Sequence, residues 1–87
     1  MFEVRLSRRA QRYYERVDRE VAARLNRAFD RLKVNPFEGD VRRLRGRPDS
    51  YRLRVGDLRV LFNVHVARRV VEVAAIRPRG QAYRAGR

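Results

Sequence analysis

The most informative stretch of the sequence is Tyr51-Arg52-Leu53-Arg54-Val55-Gly56-Asp57-Leu58-Arg59-Val60-Leu61-Phe62. Apolar and charged side chains alternate on both sides of Gly56-Asp57, and such alternation is typical of half-buried strands. Two residues between two strands, with glycine first, predict a hairpin with a type II′ turn. A two-residue turn also sets the register, so Arg54 should lie directly opposite Arg59 and Leu53 opposite Val60. The apolar side chains then face a core, and the arginines face away from it.

Further strands are predicted on both sides of this hairpin. Phe2, Val4 and Leu6 alternate with charged residues and predict a short first strand. The second hairpin strand should continue to Val66, and the β-branched run over 70–76 predicts the last strand. A short segment over 41–45 predicts an edge strand.

Two amphipathic helices are predicted between the first strand and the hairpin. Ser7 can cap a helix over 8–17, and Asp18 can cap a second helix that ends at Asn35-Pro36. The apolar residues at helical spacing are Ala10, Tyr13, Tyr14 and Val17 in the first helix, and Val21, Leu25, Ala28, Phe29 and Leu32 in the second. We therefore predict an α+β fold: a strand, an antiparallel helix hairpin, and a twisted antiparallel sheet of three to four further strands covered by the helices.

Length and composition limit the classes of protein that the chain can be. The sequence has 87 residues, which predicts a single domain over 1–87. No cysteine is present, which excludes disulfides, thiolate catalysis and cysteine-containing zinc sites. No apolar run approaches the length of a signal peptide or a membrane span, so we expect a cytoplasmic protein without a membrane partner.

The charge is strongly basic and unevenly distributed. Lys and Arg number 23 against 10 Asp and Glu, for a formal net charge of +13, and Lys33 is the only lysine. Residues 1–41 hold 10 basic and 7 acidic side chains, whereas residues 42–87 hold 13 basic and 3 acidic ones. Arginine recognises phosphate through its planar, forked donors, so the excess predicts an acidic partner such as a nucleic acid.

Arginines on the outer face of the predicted hairpin form a candidate phosphate site. Arg54 opposite Arg59, with Arg52 beside them, places like charges at opposed positions, which destabilises a sheet. A phosphodiester between the guanidinium groups would replace this repulsion with charge-assisted hydrogen bonds. Chance placement in a chain with 22 arginines is the alternative explanation. Two further residues after the last strand, Arg79 and Tyr83, favour the phosphate site.

At this point the sequence resembles the RelE/ParE superfamily of toxins from toxin–antitoxin pairs, over essentially the whole chain. The resemblance implies two N-terminal helices on a twisted antiparallel sheet. For the RelE-like branch, it also implies a ribonuclease that needs no metal or other cofactor and cuts mRNA in the ribosomal A site. There the ribose 2′-OH attacks the adjacent phosphate and gives a 2′,3′-cyclic phosphate and a free 5′-OH. The matching segments are Val4-Arg5-Leu6-Ser7-Arg8-Arg9-Ala10, Leu32-Lys33-Val34-Asn35-Pro36, Leu44-Arg45-Gly46, the hairpin run Tyr51 to Phe62, and Ile76-x-x-Arg79-x-x-x-Tyr83.

The resemblance also implies roles for individual residues. Arg52 and Arg54 would contact the mRNA backbone and the reacting phosphate, and Arg59 would stabilise the charge of the transition state. Arg79 and Tyr83 would act as a catalytic pair in the tail.

Two more arginines, Arg45 and Arg77, are predicted RNA contacts. Whether Arg77 or Arg79 is the tail cation stays open, because loops of relatives differ in length by two residues. Pro78 stands where relatives often have histidine, which leaves Tyr83 as the general acid or base candidate.

Four other polar or aromatic residues have plainer explanations. His65, the only histidine, lies about 20 Å along the strand from Arg59 and is predicted to be a surface residue. Glu72 could serve as a carboxylate base in a variant mechanism, although pairing with a nearby arginine is the more common role. Tyr13 and Tyr14 are at core spacing, which favours packing over base stacking.

Two other functions remain open on the sequence. A ParE-like toxin would keep the fold and act on DNA gyrase without the nuclease residues. A basic module without catalytic activity would bind RNA or DNA by neutralising phosphates alone.

The partners implied by the resemblance are a cognate antitoxin and RNA. We expect an acidic, amphipathic or partly disordered antitoxin that covers apolar surface and neutralises the basic face. The RNA partners would be mRNA on the ribosome and ribosomal RNA. A toxin–antitoxin heterotetramer on operator DNA would make repression a shared property.

Overall fold

The computed structural model describes residues 1–78 and has the predicted α+β architecture. The elements in chain order are β1 (Glu3–Leu6), α1 (Arg8–Arg16), α2 (Arg19–Val34), β2 (Val41–Arg43), β3 (Ser50–Val55), β4 (Leu58–His65) and β5 (Val70–Pro78). The five strands form one sheet in the order β1-β5-β4-β3-β2. Among the described residues, no helix is long and apolar enough to cross a membrane.

The sheet is mixed because β1 runs parallel to its neighbour β5, whereas the other neighbouring strands are antiparallel. The alternation of Phe2, Val4 and Leu6 correctly predicted a strand, but an alternation pattern does not name the partner strand. The two helices form the crossover that a parallel connection needs.

Both helices begin at the predicted caps. The Ser7 hydroxyl accepts a hydrogen bond from the Ala10 backbone N–H, and the Asp18 carboxylate accepts one from Val21. Helix α1 ends at Arg16, one residue before the predicted boundary, and α2 ends at Val34 with Asn35 as its C-cap, as predicted. These caps satisfy backbone donors that the first helical turn cannot pair internally.

The β3–β4 hairpin has the predicted register. Arg54 pairs with Arg59, and Leu53 pairs with Val60. Gly56 has a φ of 56°, and Asp57 is not among the residues with positive φ, which fits a type II′ turn. The edge strand β2 is shorter than predicted and stops at Arg43, whereas β5 continues two residues beyond the predicted end, to Pro78.

The core lies between the helix hairpin and one face of the sheet. Tyr13 and Tyr14 pack against this core at its margin, as their spacing predicted. The largest fully buried side chains are Phe62, Leu25, Leu32, Val60, Val71, Val73 and Pro36. Within residues 1–78, no helix packs on the opposite face of the sheet, which we call the open face.

A β-bulge interrupts β5 at Ala74. Leu61 pairs with Ala75, but the next residue, Phe62, pairs with Val73, so Ala74 has no partner on β4. The Ser7 hydroxyl donates a hydrogen bond of 2.7 Å to the Ala74 carbonyl oxygen, and the Ser7 backbone N–H donates one of 2.8 Å to the Val73 carbonyl oxygen. The residue that caps α1 therefore also anchors the bulge.

Candidate phosphate-binding site

Three arginines form a row across adjacent strands on the open face of the sheet. Arg54 on β3 pairs with Arg59 on β4, and Arg59 pairs with Arg77 on β5. Neighbouring strands lie about 4.8 Å apart, so the row spans about 10 Å at the backbone. All three side chains are exposed. We call these three residues the arginine row.

The bulge at Ala74 determines which face Arg77 occupies. Val71 and Val73 face the core and are fully buried, so strict alternation would turn residue 77 toward the core as well. One extra residue reverses the alternation, which buries Ile76 against the core and brings Arg77 to the open face. The Ser7 contacts to the bulge thus help to place a cation beside Arg59.

A second cation pair lies next to the arginine row. Arg52 is half-buried, and its direct partner on the edge strand β2 is Arg42. The pKa of Arg52 is lowered, first by burial and then by the positive charges of Arg54, Arg42 and Arg59, while Asp40 acts in the opposite direction. The guanidinium stays charged at neutral pH, and the three arginines that lower its pKa show that like charges are concentrated on this surface.

One carboxylate partly neutralises the site. The Asp40 carboxylate lies 3.6 Å from Arg54 Nε, and both side chains are partly exposed. The Arg54 backbone N–H donates to the Asp40 carbonyl oxygen at 3.2 Å, which extends the strand pairing beyond β2. Within residues 1–78, no carboxylate forms a salt bridge with Arg59 or Arg77. These two side chains are therefore the members of the row that most need an external anion.

A groove of about 190 Å³ runs beside the arginine row. The groove is lined by apolar, polar and basic side chains, which are Arg9, Leu44, Arg47, Ser50, Leu61, Phe62, Asn63, Ala74, Ala75 and Arg77. The Ser50 hydroxyl donates a hydrogen bond of 2.7 Å to the Asn63 side-chain oxygen, so these two groups are paired with each other. Apolar side chains such as Leu44 and Leu61 beside guanidinium groups suit a nucleotide, whose base is flat and apolar on its faces and whose phosphate is charged.

Not all of the predicted site residues converge. Arg45 is exposed in the loop between β2 and β3 and does not line the groove, whereas Arg47, two residues later, does. The predicted residues Arg79 and Tyr83 lie outside the described residues, so their roles stay predictions.

Sequence reasoning missed the contributions of Arg9, Arg42 and Arg47 to this face. Arg9 lies at the start of α1, far from the hairpin in sequence, and no pattern in the sequence indicates that its side chain reaches the groove. Arg42 could have been found, because a predicted edge strand beside β3 places some arginine of 41–45 opposite Arg52.

His65 and Glu72 lie at the other end of the open face. Their side chains approach each other at 3.4 Å between Nε2 and Oε1, and both are exposed. Glu72 pairs with Asn63, four residues along β4 from Arg59, a separation of about 13 Å. At that distance, Glu72 does not reach the arginine row directly, which disfavours its use as the base.

Among the described residues, the lining of the groove supplies cations but no carboxylate or imidazole that could accept a proton. Arginine stays protonated, and the remaining polar groups of the groove are a neutral hydroxyl and an amide. Fixed guanidinium groups can stabilise a phosphate that gains negative charge in a transition state. Among residues 1–78, no three His, Cys, Asp or Glu side chains cluster as a metal site would require.

Comparison with known proteins places the chain in a family. A model of the ParE toxin of type II toxin-antitoxin system, parDE, matches residues 4–83. The chain belongs to this family of toxins. It is thus a toxin of the RelE/ParE superfamily, as the sequence resemblance predicted. A search of curated proteins finds no significant match to this toxin.

Solved toxin structures share the fold over most of their length. The toxin is similar to the archaeal RelE–RelB complex from Pyrococcus horikoshii OT3, with a TM-score of 0.82 and 26% identity over 92% of this chain and 97% of that chain. The isolated E. coli RelE toxin has a TM-score of 0.80 and 20% identity, over 99% of this chain and 95% of that chain. The YoeB/ParE toxin from Agrobacterium tumefaciens has a TM-score of 0.78 and 20% identity, over 88% of this chain and 98% of that chain. At such identities, the last two comparisons establish the common fold.

Proposed function

We propose that the toxin is an endoribonuclease that cleaves mRNA in the ribosomal A site without a metal and so inhibits translation. The observation that supports this proposal is the arginine row of Arg54, Arg59 and Arg77 beside a groove of about 190 Å³. Opposed like charges destabilise a sheet, and a bound phosphate would relieve that cost. The similarity to RelE toxins supports the same chemistry.

In the proposed reaction, the ribose 2′-oxygen attacks the neighbouring phosphorus and loses its proton to a base. The bond from phosphorus to the 5′-oxygen then breaks, and the 5′-oxygen takes up a proton. The products are a 2′,3′-cyclic phosphate and a free 5′-OH. Charge builds on the non-bridging oxygens of the phosphorane between these steps, and Arg59, at the centre of the row, would stabilise it with Arg54. Arg52 would hold the adjoining backbone.

The tail cation is best assigned to Arg77, because it pairs directly with Arg59 on the open face. Arg79 would then contact flanking RNA or the leaving group. Tyr83 is the proposed proton donor or acceptor of the tail. A phenol has an ordinary pKa near 10, so surrounding arginines would have to lower it for Tyr83 to act as a base.

A second candidate function is inhibition of DNA gyrase. It is favoured by the description of the matching family as ParE toxins. In that case, the arginine row would bind DNA or an acidic surface of gyrase, and mRNA would remain intact. The two functions differ in a single readout, the integrity of mRNA during growth arrest.

We further propose a cognate antitoxin as the toxin's protein partner. The family is defined by toxin–antitoxin pairs, and the similar archaeal RelE is solved in complex with RelB. The excess of positive charge and the uncovered sheet face suit an acidic antitoxin segment. A toxin–antitoxin assembly on operator DNA would follow if the antitoxin binds DNA, and co-purification with operator fragments tests it.

The test is induced expression of the toxin with and without the neighbouring antitoxin gene, followed by mapping of RNA 5′ ends. We expect new 5′-hydroxyl ends inside translated regions, at positions that follow the reading frame, and no such ends when the antitoxin is present. An Arg59→Gln variant should lose these ends, while an Arg68→Gln variant, which removes one charge from the β4–β5 loop, should retain them. Growth arrest with intact mRNA and inhibited gyrase would refute the proposed nuclease.

A further inference from the structure

A second basic groove lies along α1, on the other side of β5 from the arginine row. It has a volume of about 360 Å³ and is lined by Arg8, Arg9, Arg12, Arg16, Tyr13 and Ile76. Four of these six residues are arginines, and all four arginines are exposed. We call this feature the α1 groove.

Within the described part of the chain, the arginines of the α1 groove are not paired with anions. None of the four takes part in a salt bridge among residues 1–78. The only glutamate of α1, Glu15, accepts its hydrogen bond from Gln11 instead. By contrast, Arg24 of α2 pairs with Glu20, and Lys33 pairs with Asp30.

This charge pattern works against helix stability. Arg8, Arg12 and Arg16 repeat at every fourth position, so they form two like-charge pairs on one face of the helix. The first turn of α1 contains Arg8 and Arg9 and no acidic residue, although the helix dipole favours negative charge there. A local arrangement that costs stability without a structural return is typical of a binding surface.

Arg9 connects the α1 groove with the groove beside the arginine row, because it lines both. The connection runs around the outer edge of β5. Strand β1 covers this edge only as far as Val73, and among the described residues no strand pairs with β5 on that side beyond the bulge. A basic track therefore continues from Arg77, past Arg9, onto α1.

We propose that the α1 groove binds the sugar–phosphate backbone of the RNA strand that continues from the scissile phosphate at the arginine row. This inference rests on the proposed nuclease function and adds to it a second contact region for the same RNA. Arg8, Arg12 and Arg16 would bind phosphates beyond Arg9. Specificity for base identity is not expected, since guanidinium contacts to phosphates do not distinguish sequences.

The lining of the α1 groove fits RNA better than an acidic peptide. Its apolar contribution comes from Ile76 and the half-buried ring of Tyr13, which is little for the apolar anchors of an amphipathic helix. Burial raises the pKa of Tyr13, so its hydroxyl stays protonated and can donate a hydrogen bond to a phosphate oxygen. Continuity with the arginine row also favours one extended ligand over two separate ones.

The test compares two triple variants of the full-length toxin that each lower the net charge from +13 to +10. One variant, R8Q/R12Q/R16Q, removes charge from the α1 groove. The matched control, R19Q/R27Q/R31Q, removes the same charge from exposed positions of α2. Fluorescence anisotropy measures binding of a labelled 2′-O-methyl RNA, which lacks the attacking hydroxyl and stays intact, as a function of salt concentration.

The expected result follows from counterion release. Each phosphate contact to a single strand contributes about 0.7 to the slope of log K against log salt. Loss of three contacts should lower the slope by about 2 and weaken binding about 100-fold near 0.1 M salt. The α2 control should keep a slope within about 0.7 of the parent. A third variant, R8K/R12K/R16K, should retain most of the affinity because it keeps the charge.

The inference is overturned if the α1 and α2 variants bind RNA equally well while both melt at or above the temperature of the parent. It is also overturned if the α1 variant binds RNA like the parent but loses its antitoxin, because the groove would then be a protein interface. Cleavage mapped on ribosomes separates the two proposals. If the parent and R8Q/R12Q/R16Q cleave mRNA equally well, this inference is refuted and the nuclease function stands. If R8Q/R12Q/R16Q weakens RNA binding but the parent does not cleave mRNA, the nuclease function alone is refuted.

Discussion

Replacement of Arg59 by glutamine should stabilise the toxin and at the same time reduce its activity. Arg59 lies at the centre of the arginine row, directly opposite Arg54 on one side and Arg77 on the other. Asp40 lies near Arg54, but within residues 1–78 no carboxylate pairs with Arg59. Glutamine keeps much of the length of the side chain and removes the charge. The change therefore isolates the electrostatic cost of the row.

The size of the effect follows from the two opposed pairs. Directly opposed like charges on a sheet cost about 0.2–1 kcal/mol each, and exposure of these side chains to solvent favours the lower part of that range. Arg59→Gln should thus raise the free energy of unfolding by about 0.5–1 kcal/mol. For a domain of this size, the melting temperature should rise by about 2–8 °C.

The assay is thermal unfolding followed by circular dichroism at low and high salt. The gain should be largest at low ionic strength and vanish near 1 M salt, where the screening length is about 3 Å. Arg68→Gln is the matched control, since Arg68 lies in the β4–β5 loop and carries the same charge without an opposed arginine. It should change the melting temperature little at either salt concentration.

Cleavage of ribosome-bound mRNA by Arg59→Gln should fall by about 10²–10³, the usual cost of removing one group that stabilises transition-state charge. Two results would refute the reasoning. A loss of stability would mean that Arg59 is already neutralised in the free toxin. A gain in stability that persists at high salt would mean that the effect is not electrostatic.

Three other substitutions test the scaffold. Ser7→Ala removes the cap of α1 and the hydrogen bond to the bulge, so it should lower the free energy of unfolding in urea by about 2 kcal/mol and, by displacing Arg77, reduce cleavage. Ser7→Thr keeps the hydroxyl and should restore both stability and cleavage. Equal losses in the two variants would contradict the role of the hydroxyl. Gly56→Ala forces a side chain into the left-handed region at φ 56° and should cost about 1–2 kcal/mol, whereas unchanged stability would contradict the assigned turn. Leu25→Ala leaves a cavity at a fully buried position and should lower the free energy of unfolding by about 2–5 kcal/mol. The exposed control Val34→Ala should lower it by less than about 0.5 kcal/mol. Similar losses at the two positions would contradict the assigned core.

Local patterns in the sequence were sufficient for the helices and the hairpin. Ser7 and Asp18 precede apolar residues at helical spacing, so caps and helix faces follow from nearest neighbours along the chain. The register of β3 and β4 follows from the two-residue turn at Gly56-Asp57, which leaves one way to pair the strands. Both features depend on residues that are close in sequence.

Features that depend on distant contacts were not predictable. The partner of β1 is set by how the helices cross the sheet, and alternation in Phe2, Val4 and Leu6 does not contain that information. The face of Arg77 depends on the bulge at Ala74, which Ser7 anchors from 67 residues away. Without the bulge, alternation from Val73 would turn Arg77 toward the core.

The candidate site shows the same division. The opposition of Arg54 and Arg59 was predictable because it lies within one hairpin. Arg9 and Arg47 reach the groove from a helix and a long loop, for which the sequence sets no register. The tail residues Arg79 and Tyr83 stay predictions, since they lie outside the described residues.

The most direct test of the central claim uses purified ribosomes that hold a defined mRNA, with primer extension to locate breaks. We expect cleavage at the A-site codon by the parent toxin, with a 5′-hydroxyl on the downstream fragment. We also expect loss of cleavage in R59Q/R77Q, which removes two members of the arginine row. The contrary result is intact mRNA with the folded parent toxin, or cleavage by R59Q/R77Q at the rate of the parent.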